Sequence, residues 1–140
     1  MLYVDTNVLV ALCTNDPKTA DVVKWYAGCT QEIASAAWCV TEFASAMALK
    51  QRTGQLTETQ MQSAWMQFER MCANDLQLLP VSPMTFHKAA MLTMDASAGL
   101  RAGDALHLAC AMDAKAQGMV TLDVVLATNA KRFKVKPVAI

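Results

Sequence analysis

Short apolar runs of strand length alternate along the whole chain with longer segments of helical periodicity. That alternation points to an α/β domain with a parallel sheet, because parallel strands need helical crossovers between them. Five strands are predicted, at residues 2 to 5, about 32 to 36, about 77 to 81, 118 to 121 and about 135 to 139. Helix start signals fall between them. Asp16-Pro17 and Ser82-Pro83 each read as an N-cap followed by a proline at the first helical position, and Thr57-Glu58-Thr59-Gln60 reads as a capping box. From Thr57 to Ala73, the residues Met61, Ala64, Trp65, Phe68, Met71 and Cys72 fall on one helical face. The segment from Ala102 to Gln117 is apolar nearly all round and ends at Gly118, read here as the C′ glycine of a largely buried helix.

A chain of 140 residues without an internal repeat or a Pro/Gly-rich linker reads as one domain, residues 1–140, long enough to bury a sizeable core. Hydrophobic residues make up 54% of it, yet no run approaches the roughly 20 apolar residues of a membrane helix. The excess is expected in the core or at an interface. Strand-like Leu2-Tyr3-Val4 stands almost at the first Met and leaves no secretory pattern ahead of it, so a cytoplasmic location is expected. The five cysteines are scattered, lack a CxxC pair and sit in apolar surroundings, as reduced core thiols do. Twelve basic residues balance twelve acidic ones, which excludes a global basic footprint. Any nucleic acid would have to be held locally or through a metal.

Four acidic residues stand out by position. Asp5 closes the first strand and opens a helix through Thr6 and Asn7, and Asp123 follows the strand Met119-Val120-Thr121-Leu122. Glu42 lies in the apolar stretch Ala36 to Ala44, and Asp104 near the start of the apolar helix. Singly, each reads equally well as a cap or an ion-pair partner. Together they converge, because crevices in open parallel sheets lie beyond the carboxyl ends of the strands. Packed carboxylates repel unless protons or cations neutralise them, and oxygen donors suit Mg²⁺ or Mn²⁺ better than zinc.

At these residues the sequence resembles the PIN-domain family, particularly the VapC-like toxins of bacterial toxin–antitoxin pairs. The resemblance is carried by Val4-Asp5-Thr6-Asn7-Val8-Leu9, by Glu42, by Leu100-Arg101-Ala102-Gly103-Asp104-Ala105-Leu106-His107-Leu108-Ala109, by Thr121-Leu122-Asp123 and by Leu126-Ala127-Thr128-Asn129-Ala130. It implies a three-layer α/β/α sandwich around a central parallel five-stranded sheet. It also implies a metal-dependent endoribonuclease and a cognate antitoxin that occludes the site. Asp5, Glu42, Asp104 and Asp123 match the family's acidic quartet. Asp5, Asp104 and Asp123 are expected to ligate Mg²⁺ or Mn²⁺ directly, and Glu42 directly or through water. Asn7 and Thr121 match the polar residues behind the acids, while Asn129 shares in that set or replaces Asp123.

Several residues carry two readings. Arg101 contacts substrate phosphate or pairs with Asp104 one helical turn on. Lys131 and Arg132 belong to the only basic cluster, which guides RNA or forms a solvated face. His107 is placed for general-base work, but its apolar helix favours an internal hydrogen bond. The Met- and Trp-rich face of residues 61 to 72 is core, or part of a homodimer seam and an antitoxin groove. Two other functions compete: a PIN-type module that binds RNA or antitoxin without cutting, and an Asp-based phosphohydrolase with Asp5 as nucleophile.

Overall fold

A computed structural model describes residues 1–140. β1 (Leu2–Val4) leads into α1 (Thr6–Cys13) and α2 (Thr19–Gly28), and β2 (Ile33–Ala36) into α3 (Trp38–Arg52) and α4 (Glu58–Asn74). β3 (Leu76–Leu79), α5 (Pro83–Met94), a single 3₁₀ turn at Ala96–Ala98 and α6 (Ala102–Asp113) follow. The chain finishes with β4 (Gly118–Val120), α7 (Val124–Arg132) and β5 (Lys136–Pro137). The five strands lie in the order β3-β2-β1-β4-β5, all parallel. From β1 the chain moves outward to β2 and β3, then crosses back to place β4 on β1's other side. The reversal therefore falls between β1 and β4, where an open sheet leaves a crevice at its carboxyl end.

Helices cover both faces, so the strands read as continuous apolar runs. Alternation along β1 sends Leu2 and Val4 into one core, with α1, α3 and α4, and Tyr3 into the other, with α5, α6 and α7. The first core stacks Phe43 on Phe68 at 4.1 Å between ring centres. The second is built on α6, where Ala105 through Ala111 are all buried, as its near-uniform apolarity requires. Both cores together absorb much of the apolar excess. All five cysteines are free thiols, and no helix is long and apolar enough to cross a membrane.

The Thr57 capping box forms as read: Thr57 Oγ1 accepts from Gln60 N–H at 3.2 Å, and the Gln60 side chain accepts from Thr57 N–H at 2.9 Å. Ser82 caps α5 with Pro83 in its first turn. Asp16-Pro17 does not open a helix. The Asp16 side chain accepts from Lys18 N–H, closing a turn, and α2 begins only at Thr19. α6 also ends earlier than its periodicity suggests, at Asp113, with Lys115 rather than a glycine in the left-handed region at φ 52°. Gly118 is a strand residue, required because a Cβ there would come within 2.9 Å of Val138 Cγ2 and 3.0 Å of the Lys136 carbonyl. Its absence of side chain lets β5 pair closely. That strand is only two residues long, shorter than the apolar run around it, while β3 begins one residue earlier than read and ends at Leu79.

Candidate active site

Asp5 sits immediately past β1, its N–H bonded to the Val120 carbonyl of β4 at 2.9 Å, so its carboxylate stands over the switch point. It is the N-terminal flanking residue of α1, yet its side chain caps nothing. Instead Asp5 Oδ2 accepts from Thr121 Oγ1 at 2.7 Å, and Thr121 Oγ1 accepts in turn from Asp123 N–H at 3.0 Å. Asn7 closes this corner: its amide donates to Thr121 Oγ1 at 3.4 Å and its carbonyl accepts from Leu122 N–H at 3.2 Å. The Asp-Thr-Asn and Thr-Leu-Asp motifs, over a hundred residues apart, are thus stitched side by side. Asp123 Oδ1 caps α7 by accepting from Leu126 N–H at 2.8 Å, leaving its second oxygen without a protein hydrogen bond.

Glu42, half-buried on α3, reaches the same crevice from the β2 side. Its Oε1 accepts from Thr6 Oγ1 at 2.7 Å and from His107 Nε2 in a short bond. His107 Nε2 also lies 3.6 Å from Asp5 Oδ1. Glu42 Oε2 rests on the first turn of α6, where a Cβ on Gly103 would come within 2.9 Å of it. Gly103 is therefore a condition for the carboxylate's position. Asp104 follows on that turn, where the helix N-terminus favours a negative charge.

The electrostatics bind the four acids into one cluster. Burial pushes the Asp104 carboxyl up to about 6, and the Asp5, Asp123 and Glu42 carboxylates push the same way against His107. Burial also raises Asp5, opposed by His107 and the Thr121 hydroxyl. For Glu42, burial is outweighed by the His107 hydrogen bond and charge and by Thr6, so its pKa is lowered. His107 is fully buried, which depresses its pKa, but Glu42, Asp5 and Asp104 outweigh burial and raise it. As the side chains stand, no three Asp, Glu, His or Cys groups close on one point as ligands of an ion. In kind, however, the donors fit a hard dication. They are all carboxylate oxygens, and the crowding that raises Asp104 is what a cation relieves.

The other anticipated residues divide. Asn129 is buried but does not face the acids; its amide donates to the Ala98 carbonyl at 3.0 Å and the Val125 carbonyl at 2.9 Å, tying the loop before α6 to α7. Arg101 is exposed at the N-terminal edge of α6 and makes no ion pair with Asp104. Lys131 and Arg132 lie at the far end of α7, roughly 12 Å along the helix from Asp123. Arg132 is engaged by Asp95 at 3.1 Å and stands over the Phe133 ring. Tyr3, Thr6 and Gly103 are functional neighbours that the sequence reading did not single out. A phenol in an otherwise apolar strand, and a glycine inside the first turn of a helix, are the signals that mark two of them.

A family model for the PIN domain matches residues 2–136 of this chain. No curated protein sequence matches it significantly. Among solved structures it resembles the Mycobacterium tuberculosis toxin VapC20, described as cleaving the sarcin–ricin loop, at TM-score 0.75 and 14% identity over 92% of this chain and 95% of that one. FitAcB from Neisseria gonorrhoeae gives TM-score 0.74 and 19% identity over 99% and 97% of the two chains. VapBC2 from Rickettsia felis, solved with a DNA fragment from its promoter, gives 0.64 and 16% over 99% and 98%. At such identities the structures speak for the fold. With a family match that leaves only one residue at the start and four at the end uncovered, and with Asp5, Glu42, Asp104 and Asp123 gathered at the sheet's switch point, this chain belongs to the PIN domain family.

Proposed function

We propose that this protein is a metal-dependent endoribonuclease and the toxin of a toxin–antitoxin pair. The observation that carries the reading is the convergence of Asp5, Glu42, Asp104 and Asp123 at the switch point of the sheet, where burial and the neighbouring carboxylates together raise the Asp104 carboxyl. Asp5, Asp104 and Asp123 would hold one or two Mg²⁺ or Mn²⁺ ions, with Glu42 as a direct or water-bridged ligand. A dication held there supplies charge to activate water and to stabilise the departing oxygen of a phosphodiester. The protein's own share is positional. Thr121 fixes Asp5, the α7 N-terminus fixes one oxygen of Asp123, and Thr6 with His107 fixes Glu42. The one hydroxyl among these residues that lies beside a histidine, Thr6 Oγ1 at 3.1 Å from His107 Nε2, donates its proton to Glu42 rather than to the imidazole, so water is the attacking group in this proposal. Exposed Arg101, one turn before Asp104, is the basic side chain best placed for RNA phosphate.

The partner is an antitoxin, supported by the FitAcB and VapBC2 likenesses and by a groove of about 580 Å³ between α3 and α4, lined by Met47, Met61, Trp65 and Met66. Its concavity suits an inserted apolar side chain of a small protein. A homodimer is expected from a different surface, the solvent-facing side chains of α5, where Met84, Phe86, Met91 and Met94 are all exposed although they spread over nearly half the helix circumference. The cytoplasm, where RNA and a reduced thiol pool coexist, is the expected location. Binding of Mn²⁺ by the purified chain, read by electron paramagnetic resonance, tests the site. Binding that Asp104→Asn weakens at least tenfold is expected, and binding indifferent to that change would reject it.

A further inference from the structure

Behind Glu42 runs a chain of hydrogen bonds that one tautomer of His107 satisfies from end to end. Ala36 N–H donates to Tyr3 Oη at 2.9 Å, and Tyr3 Oη lies 2.8 Å from His107 Nδ1. With its oxygen already accepting from Ala36, the Tyr3 hydroxyl proton has His107 Nδ1 as its acceptor. Nδ1 of the neutral imidazole then carries no hydrogen, so the proton sits on Nε2, facing Glu42 Oε1. The doubly protonated ring would carry a proton on Nε2 as well, so the bond to Glu42 exists in either state. Both rings of this chain are fully buried, in a tilted edge contact at 5.7 Å between centres, which leaves the imidazole no room to flip. Thr6 donates to the same Oε1. One carboxylate oxygen is thereby committed twice to the protein, while Oε2 lies against Gly103, whose missing Cβ makes the space.

We infer that Tyr3 and His107 are positioning residues for Glu42: they commit Oε1 to the protein and leave Oε2 as the single oxygen that Glu42 offers to an ion or to a water beside it. Glu42 is then a one-oxygen partner and never a chelating one. Neither Tyr3 nor His107 touches substrate or ion. This role rests on the four acids holding a dication, and the phenol of Tyr3 is the informative place to probe it, because it is one full side chain removed from the acids.

The experiment uses the whole chain, with Tyr3→Phe, His107→Gln, His107→Leu, Glu42→Gln and the double variant Tyr3→Phe/Glu42→Gln. Thermal melting confirms that each folds. Mn²⁺ affinity is read by paramagnetic resonance, and the tautomer of His107 by imidazole nitrogen chemical shifts, simplified because the chain has only two histidines. The wild type should show the Nε2-protonated ring. Tyr3→Phe and His107→Leu should each weaken Mn²⁺ binding by about tenfold, the usual scale for a group that orients a metal ligand. His107→Gln, whose amide can donate in place of Nε2, should recover part of the loss. Tyr3→Phe should add nothing once Glu42 is already Gln. A neutral ring protonated on Nδ1 alone in the wild type, or an equal loss from Tyr3→Phe in the Glu42→Gln background, would overturn the inference. Absent Mn²⁺ binding in the wild type itself would bring down the metal reading and this role with it, whereas normal wild-type binding left unchanged in Tyr3→Phe would remove the relay alone.

Discussion

Asp104 ties the site's chemistry to its stability. Its pKa rises from 3.8 to about 6 on folding, so the folded state holds the proton more tightly than the unfolded chain. A raised carboxyl destabilises the fold wherever it is ionised: the penalty is absent below about pH 4, grows between 4 and 6 and is complete above 6. Half-exposure screens it to about 1 kcal/mol. In chelator, Asp104→Asn should therefore raise the melting temperature by about 3 °C at pH 7.5 and by nothing at pH 4. An unchanged or lowered melting point at pH 7.5 would mean that burial and the neighbouring carboxylates do not raise Asp104. Gly103 makes the opposite case for separating activity from stability. Alanine is the better helix former by up to about 1 kcal/mol, which offsets the strain of its Cβ against Glu42 Oε2, so Gly103→Ala should change the melting temperature by no more than a few degrees. Its Cβ would nonetheless press on Glu42 Oε2, which cannot swing away while Oε1 is held by Thr6 and His107, and cleavage should fall at least tenfold.

Among the elements, the loop from Asp95 to Arg101 delivers α6 and its Asp104 to the crevice, and α7 holds that loop in place. Asn129 takes the Ala98 carbonyl, and Arg132 takes Asp95. Replacing Asn129 with Ala removes this donor from the half-buried Ala98 and the exposed Val125 carbonyls, at a cost of about 1 kcal/mol. Asn129→Asp should be worse, since a carboxylate would face those carbonyls. If Asn129 instead served the metal beside Asp123, Asn129→Asp would keep or strengthen Mn²⁺ binding, and that result would reject the anchoring role. Strand positions, the capping box and the four acids were legible in the sequence because period, cap chemistry and misplaced charge are local signals. Asn129's role was not, because the carbonyl it binds lies 31 residues away and belongs to a loop with no pattern of its own. Asp16-Pro17 misled for a related reason. The same pair that opens a helix also closes a turn, and Thr19, whose hydroxyl bonds the Ala11 and Thr14 carbonyls, decides where α2 starts. His107 was legible as a buried hydrogen-bonding histidine, but its partners Tyr3 and Glu42 come from other elements and appear only when the sheet is assembled.

Across the whole molecule, the apolar surplus of the sequence divides three ways. Half of the α4 stripe is buried, Ala64, Phe68 and Met71, while its Met61 and Trp65 join Met66, which lies outside the stripe, in the groove against α3. The larger unburied surface is on α5, which the sequence reading did not single out because its Met and Phe residues do not fall on one clean face. Light scattering at micromolar concentration should report a dimer, which Met94→Lys shifts to monomer and Met66→Lys does not. A monomer in the unmodified chain would reject self-association. Met66→Lys should instead weaken binding of the proposed antitoxin partner.

On the function proposed above, four carboxylates at the switch point of the sheet hold a divalent ion that cuts RNA. That function is tested most directly by incubating purified, partner-free chain with single-stranded RNA in Mg²⁺ or Mn²⁺, in chelator, and with Asp104→Asn in place of the natural residue. Cleavage should require the ion, vanish in chelator and be lost in Asp104→Asn although that variant is folded. Cleavage that persisted in chelator, or in folded Asp104→Asn, would contradict it.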